Sequence, residues 1–188
     1  MNTQRIVITG APGTGKTSVI QALINAGYLC FPEVIREFTQ EEVATKNPDQ
    51  LSSNPIVFAN DSMDFNTKLI SGRTQQHQNA NFSDHKVNFY DRGIVDVLAY
   101  MDFFDQTYPQ EFITVCDTYR YEAVFIMPPW QDIFHVEEGR YETFEEASLL
   151  HESLITRYKA FGYNPIEVPL DTIESRTNFI LKKTQLLP

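Results

Sequence analysis

Between positions 10 and 17 the chain reads Gly-Ala-Pro-Gly-Thr-Gly-Lys-Thr, set between a β-branched run and an amphipathic one. Arg5 to Thr9 reads as a short strand that stops at Gly10. Val19, Leu23 and Ala26, with Ile20 and Ile24 beside them, make the apolar face of a helix, and Gly27 stands where a C′ residue belongs. Strand, glycine loop and helix together match G-x-x-x-x-G-K-[ST] in the context that motif requires. Glycines let the backbone wrap so that successive N–H groups point inward, and the following helix adds its positive end, which together make a site for a polyphosphate. In this reading Gly10, Gly13, Thr14, Gly15 and Ser18 supply the cradle, Lys16 reaches the β- and γ-phosphates, and the Thr17 hydroxyl ligates Mg²⁺.

The rest of the chain alternates in the same way. Tyr28 to Phe31 reads as a second strand, Val87 to Tyr90 as a third, Ala123 to Met127 as a fourth and Ile166 to Val168 as a fifth. Helices are expected from Asn54-Pro55 (with Phe58, Ala59, Met63, Phe65, Leu69 and Ile70 as its apolar stripe), from Ile94 to Phe104, and after Pro109 with Phe112, Val115, Cys116 and Tyr119 buried. Thr143 with Glu146 forms a capping box for a long helix ended by Gly162, and Asp171 with Glu174 caps a last one that finishes in Lys182-Lys183. Gln40 to Asn54 reads as a loop, and the Gln/Asn-rich tract Thr74 to Ser83 as a solvated connection. This order predicts an α/β domain, a three-layer sandwich on a five-stranded, mostly parallel sheet, with residues 1–188 forming one domain.

Composition narrows the partners. A formal charge of −10 and a pI near 4.8 argue against nucleic acid and anionic membrane. Hydrophobic residues at 42% supply a sizeable core. Cys30 and Cys116 make no disulfide framework and lack metal-ligand spacing, and the N-terminus reads into a strand without a signal segment, so a reducing, cytoplasmic setting is expected. Ala123 to Trp130, the longest mostly apolar run, is far too short for a membrane helix. His77, His85, His135 and His151 have no ligand spacing and are assigned nothing.

No Asn-Lys-x-Asp stands in the chain for guanine, no Leu-Ser-Gly-Gly-Gln signature, and no strand ends in the acidic pair of a motor ATPase. What remains resembles the P-loop ATPase/kinase family that includes the ribosylnicotinamide kinase domain, with thymidylate and deoxynucleoside kinases as more distant relatives. Five segments carry the resemblance: the loop itself, Phe31 to Glu37, Phe89 to Gly93, Pro128 to Arg140, and Asp171 to Arg176.

The resemblance implies ATP and Mg²⁺ as cofactors. It makes Asp91 a carboxylate that holds the magnesium shell at the end of a strand, against the simpler reading of an Asp–Arg pair closing a turn. It implies that Arg92 faces the reacting phosphates and that Arg140 folds over them from a lid, where the bland alternative is a solvated charged loop. Glu33 would accept or align the proton of a hydroxyl acceptor, or else pair with Arg36 or cap a helix; Glu37 is an equal candidate for the base, and Arg36 one for an anionic or polar substrate group. Arg176 is expected near the adenine, stacked on it or in a surface salt bridge, and Trp130 packs a base or the core. The implied activity is transfer of the γ-phosphoryl of ATP to a small, nucleoside-like acceptor. The alternatives are a regulatory ATPase without a small acceptor and a nucleoside monophosphate kinase. A homo-oligomer is left open.

Overall fold

The computed structural model describes residues 3–34, 62–134 and 143–185. Five strands form one sheet: β1 (Gln4–Gly10), β2 (Leu29–Phe31), β3 (Val87–Asp91), β4 (Ala123–Met127) and β5 (Ile166–Glu167). Their order is β2-β3-β1-β4-β5, and every pairing is parallel. The helices are α1 (Lys16–Asn25), α2 (Ser62–Asn79), α3 (Val95–Phe103), α4 (Gln110–Thr118), α5 (Phe144–Ala160) and α6 (Ile173–Thr184).

A sheet buried on both faces needs apolar side chains at successive positions, and β1 has them: Ile6, Val7 and Ile8 are all wholly buried. Alternation sends them to different layers. Val7, Tyr90, Val124 and Ile126 pack with α2 to α5, whereas Ile6, Ile8, Phe89, Phe125 and Met127 pack with Val19 and Leu23 of α1 and Ile180 of α6. Helices thus cover both faces, giving the three layers expected of the sequence.

Local signals account for most boundaries. The Thr143 hydroxyl accepts from the Glu146 N–H, and the Glu146 carboxylate from the Thr143 N–H, closing the capping box of α5. Gly162 follows α5 with φ +76°. At α6 the cap is Thr172, one residue later than expected, its hydroxyl accepting from the Ser175 N–H.

One segment departs from the sequence expectation. The Gln/Asn-rich stretch from Thr74 continues α2 to Asn79 and then forms a 3-10 turn, Ala80–Phe82. Leu69, Arg73, His77 and Ala80 lie at i, i+4, i+8 and i+11 and are all buried, so tertiary packing holds a helix that composition disguised. Ile24 and Met63, expected on apolar faces, are exposed. Among the described residues no helix is long and apolar enough to cross a membrane. The 40–54 loop and the start of the Asn54 helix lie outside the described residues.

Candidate active site

β1, β2, β3 and β4 all end on one side of the sheet, where open parallel sheets place their ligand sites. The glycine loop leaves β1 there. Gly10 has φ +148°, and a Cβ on it would lie 2.5 Å from the Met127 carbonyl oxygen, so only glycine permits this approach of β1 to the end of β4. Gly13 and Gly15 also have positive φ, and Gly15 is the N-cap of α1. Having no side chain, Gly15 cannot cap the first-turn amides of α1, which stay directed at an incoming anion. Thr14 Oγ1 donates to the Ala11 carbonyl at 2.9 Å and stiffens the turn. Thr17 and Ser18 are exposed at the start of α1.

Lys16 is buried, and its Nζ donates to the carbonyls of Gly10 and Ala11, each at 2.8 Å. Burial above all, with Arg92 adding like-charge repulsion, lowers its pKa to about 7.

Asp91 ends β3 opposite Ile8 of β1 and is buried. Arg92 follows with φ +73°, a left-handed conformation that costs a non-glycine residue about 1–3 kcal/mol unless its surroundings hold it. They do. Its backbone N–H donates to the Ile8 carbonyl at 3.1 Å, its Nε to Glu33 Oε1 at 2.5 Å and its Nη1 to the Gly10 carbonyl at 3.1 Å. Its guanidinium also lies 5.2 Å from the centre of the Tyr100 ring. Burial opposes its charge, but Tyr100, Glu33, Asp96 and Asp91 outweigh burial and hold it protonated. For Glu33 burial works upward, and Arg92, Lys16 and Arg73 overcome it, leaving the carboxyl at about 2.

Lys16, Glu33, Asp91 and Arg92, from three different segments, therefore converge at the loop. Among the described residues Glu33 pairs with Arg92; Arg36, the partner named for it in the sequence, lies outside them. Arg176 is neither exposed nor in a salt bridge among the described residues. It is 2% exposed, and Nη2 donates to the Thr14 carbonyl at 3.0 Å while the guanidinium lies 5.8 Å from the Trp130 ring. It braces the loop from behind, and burial lowers its pKa. Trp130 itself is half-buried. Arg36, Glu37 and Arg140 lie outside the described residues.

Two buried residues at this site escape sequence reasoning. Asp96 ion-pairs with Arg92 Nη1 at 3.6 Å, and Arg73 Nη1 donates to the Gly93 carbonyl at 2.9 Å. The available signal for Asp96 was a lone charge inside the apolar run Val95 to Met101, every residue of which is buried.

The site suits magnesium in its donor chemistry. A hydroxyl (Thr17) and a carboxylate (Asp91) beside the loop are hard oxygen donors, and Mg²⁺ characteristically takes one or two such ligands and completes its shell with phosphate and water. Among the described residues no group of three or more His, Cys, Asp or Glu forms a protein-only metal cage.

Against known proteins, a family model described as an AAA domain, AAA_28, matches residues 5–176. No curated protein matches. Among solved structures, NadR in complex with NR is similar with a TM-score of 0.71 at 18% identity, covering 98% of this chain and 51% of that one. The chain thus spans about half the length of NadR. Deoxyadenosine kinase from M. mycoides (TM-score 0.66, 14% identity) and thymidylate kinase from Ehrlichia chaffeensis (TM-score 0.65, 14% identity) are each matched over 98% of this chain and 100% of theirs. At these identities the likeness establishes a shared kinase-type P-loop fold.

Proposed function

The chain belongs to the AAA_28 family of AAA domains, and from that premise we propose that residues 1–188 form one kinase-like domain that binds ATP·Mg²⁺ and transfers the γ-phosphoryl to a small, nucleoside-like acceptor. The observation that carries this reading is the convergence of Lys16, Glu33, Asp91 and Arg92 on the rim of the glycine loop. The solved relatives are crystallised with nicotinamide riboside-type, NAD and nucleotide ligands, which supports the nucleoside-like class.

The amides of Gly13 to Ser18 bind the polyphosphate, and Lys16 leaves the Gly10 and Ala11 carbonyls to meet it. Thr17, and Asp91 directly or through water, would hold Mg²⁺, which when bound neutralises charge on the phosphate oxygens. Arg92 is held rigidly where charge develops, so its contribution costs little reorganisation. Arg140 closes over the phosphates as the lid arginine, and Glu33 orients the acceptor.

One observation favours a second reading. A carboxylate bonded to Arg92 and held at about 2 is a weak proton acceptor, as suits a phosphate acceptor that needs no base, the monophosphate kinase reaction. Purified protein with ATP·Mg²⁺ and a panel of nucleosides, nucleotides and vitamin ribosides tests both. ADP release stimulated by one member, and abolished by Lys16→Ala, is expected; stimulation by none points to the regulatory ATPase instead. Glu33→Gln then separates the readings: turnover falling about a hundredfold or more assigns Glu33 to a hydroxyl acceptor, and near-normal turnover assigns a phosphate one.

A further inference from the structure

Asp96 is wholly buried in the first turn of α3, yet its two oxygens reach four groups from three other parts of the chain. Oδ1 accepts from Thr9 Oγ1 of β1 and faces Arg92 Nη1 at 3.6 Å. Oδ2 accepts from the Gly93 N–H at 2.9 Å and from Tyr158 Oη of α5 at 2.5 Å. The Asp96 N–H in turn donates to the Gly93 carbonyl at 3.2 Å, so residues 93 to 96 close a reciprocal turn directly after Arg92. Gly93 is open to this arrangement because it lacks a side chain: a Cβ there would lie 2.6 Å from Tyr158 Oη and 2.9 Å from Val7.

We propose that Asp96 is a positioning residue that aims Arg92 at the phosphate loop, fixing its left-handed backbone through Gly93 and its guanidinium through charge. A buried carboxylate is costly unless paired, and the sites that repay this one are the turn and side chain of Arg92 together with the Thr9 and Tyr158 hydroxyls. Glu33 grips Arg92 from the acceptor side and Asp96 from the core side, so the guanidinium is held between two carboxylates with Gly10 on its third side. The value of this positioning to catalysis rests on the kinase reading above; the positioning itself does not.

Asp96→Asn isolates the charge. The amide oxygen can keep the Gly93 and Tyr158 bonds and its NH₂ can donate to Thr9 Oγ1, so packing survives and only Arg92 loses its attraction. The readout is the Arg92 Nε–H resonance of arginine-¹⁵N-labelled protein, assigned with Arg92→Lys. In the wild type this proton, bonded to Glu33, should exchange slowly with water. In Asp96→Asn exchange should accelerate at least tenfold while the far-ultraviolet dichroism is unchanged. An unchanged exchange rate in folded Asp96→Asn overturns the proposal and leaves Asp96 a packing residue. If that variant does not fold, Tyr158→Phe, which removes one bond to Asp96, decides in its place: faster exchange supports the role and an unchanged rate overturns it. Faster exchange together with no acceptor-stimulated ADP release in the wild type retires the kinase reading and keeps the positioning.

Discussion

Raising the pH from 7.0 to 8.0 should weaken ATP·Mg²⁺ binding about fivefold, because Lys16, the cation proposed to receive the phosphates, is losing its proton. Lys16 titrates at about 7 where it lies against the Gly10 and Ala11 carbonyls, instead of at 10.5. A bound polyphosphate favours the charged amine, so the complex binds more protons than the free protein and affinity falls as pH rises through this window. With only the protonated form binding, the apparent dissociation constant scales as 1 + 10^(pH − 7), a factor of about 2 at pH 7 and about 11 at pH 8, a difference of about 1 kcal/mol. Titration calorimetry in two buffers of different ionisation enthalpy measures both consequences. Proton uptake should be about 0.5 per complex at pH 7 and about 0.9 at pH 8, and Lys16→Met should abolish the uptake and flatten the affinity. Equal affinity at the two pH values with no proton uptake would refute the reasoning, since Lys16 would then be fully charged before binding. The sign for folding is opposite: an unfolded lysine holds its proton from pH 7 to 10.5 while the folded one does not, so Lys16 makes the free protein more stable as pH rises across that range.

Two further outcomes are expected. Gly93→Ala forces a Cβ to within 2.6 Å of Tyr158 Oη and 2.9 Å of Val7, and should cost about 1–3 kcal/mol, read as a lower midpoint in urea; an unchanged midpoint would contradict the close approach. Arg176→Met removes a buried cation and its bond to the Thr14 carbonyl but also removes the cost of burying the charge, so stability should change by less than about 1 kcal/mol while ADP binding weakens about tenfold; unaltered ADP affinity would confine Arg176 to packing.

What could be read from the sequence was local. The loop octet, the five strands and the Thr143 capping box depend on neighbours within a few residues, and the structure has each in place. Thr74 to Asn79 was misread because Gln and Asn are indifferent helix formers, and the segment is held by buried Arg73 and His77 rather than by an apolar stripe. Asp171 and Thr172 are both competent caps, and nothing local chose between them. The site was legible to the extent that strand ends announce it. Glu33 and Arg92 were each singled out, but their pairing spans 59 residues and has no sequence signature. Arg73 lies in a helix outside any motif and matters through Gly93, 20 residues on, while Asp96 follows the Asp91-Arg92-Gly93 segment closely but shows its role only once Thr9 and Tyr158 are brought to it by packing.

The bond from Arg176 to the Thr14 carbonyl spans 162 residues, and β1, the central strand, pairs with segments beginning at Val87 and Ala123. During synthesis the glycine loop therefore leaves the ribosome 162 residues ahead of its brace. Translation at about 5–20 residues per second leaves a nascent chain exposing an unsupported β1 for several seconds. The bare edges of that strand are what a chaperone would have to shield, and a ribosome stalled before residue 176 would carry the loop sequence without the rigid loop. Nucleotide affinity measured along a series of stalled chains would therefore report when α6 docks.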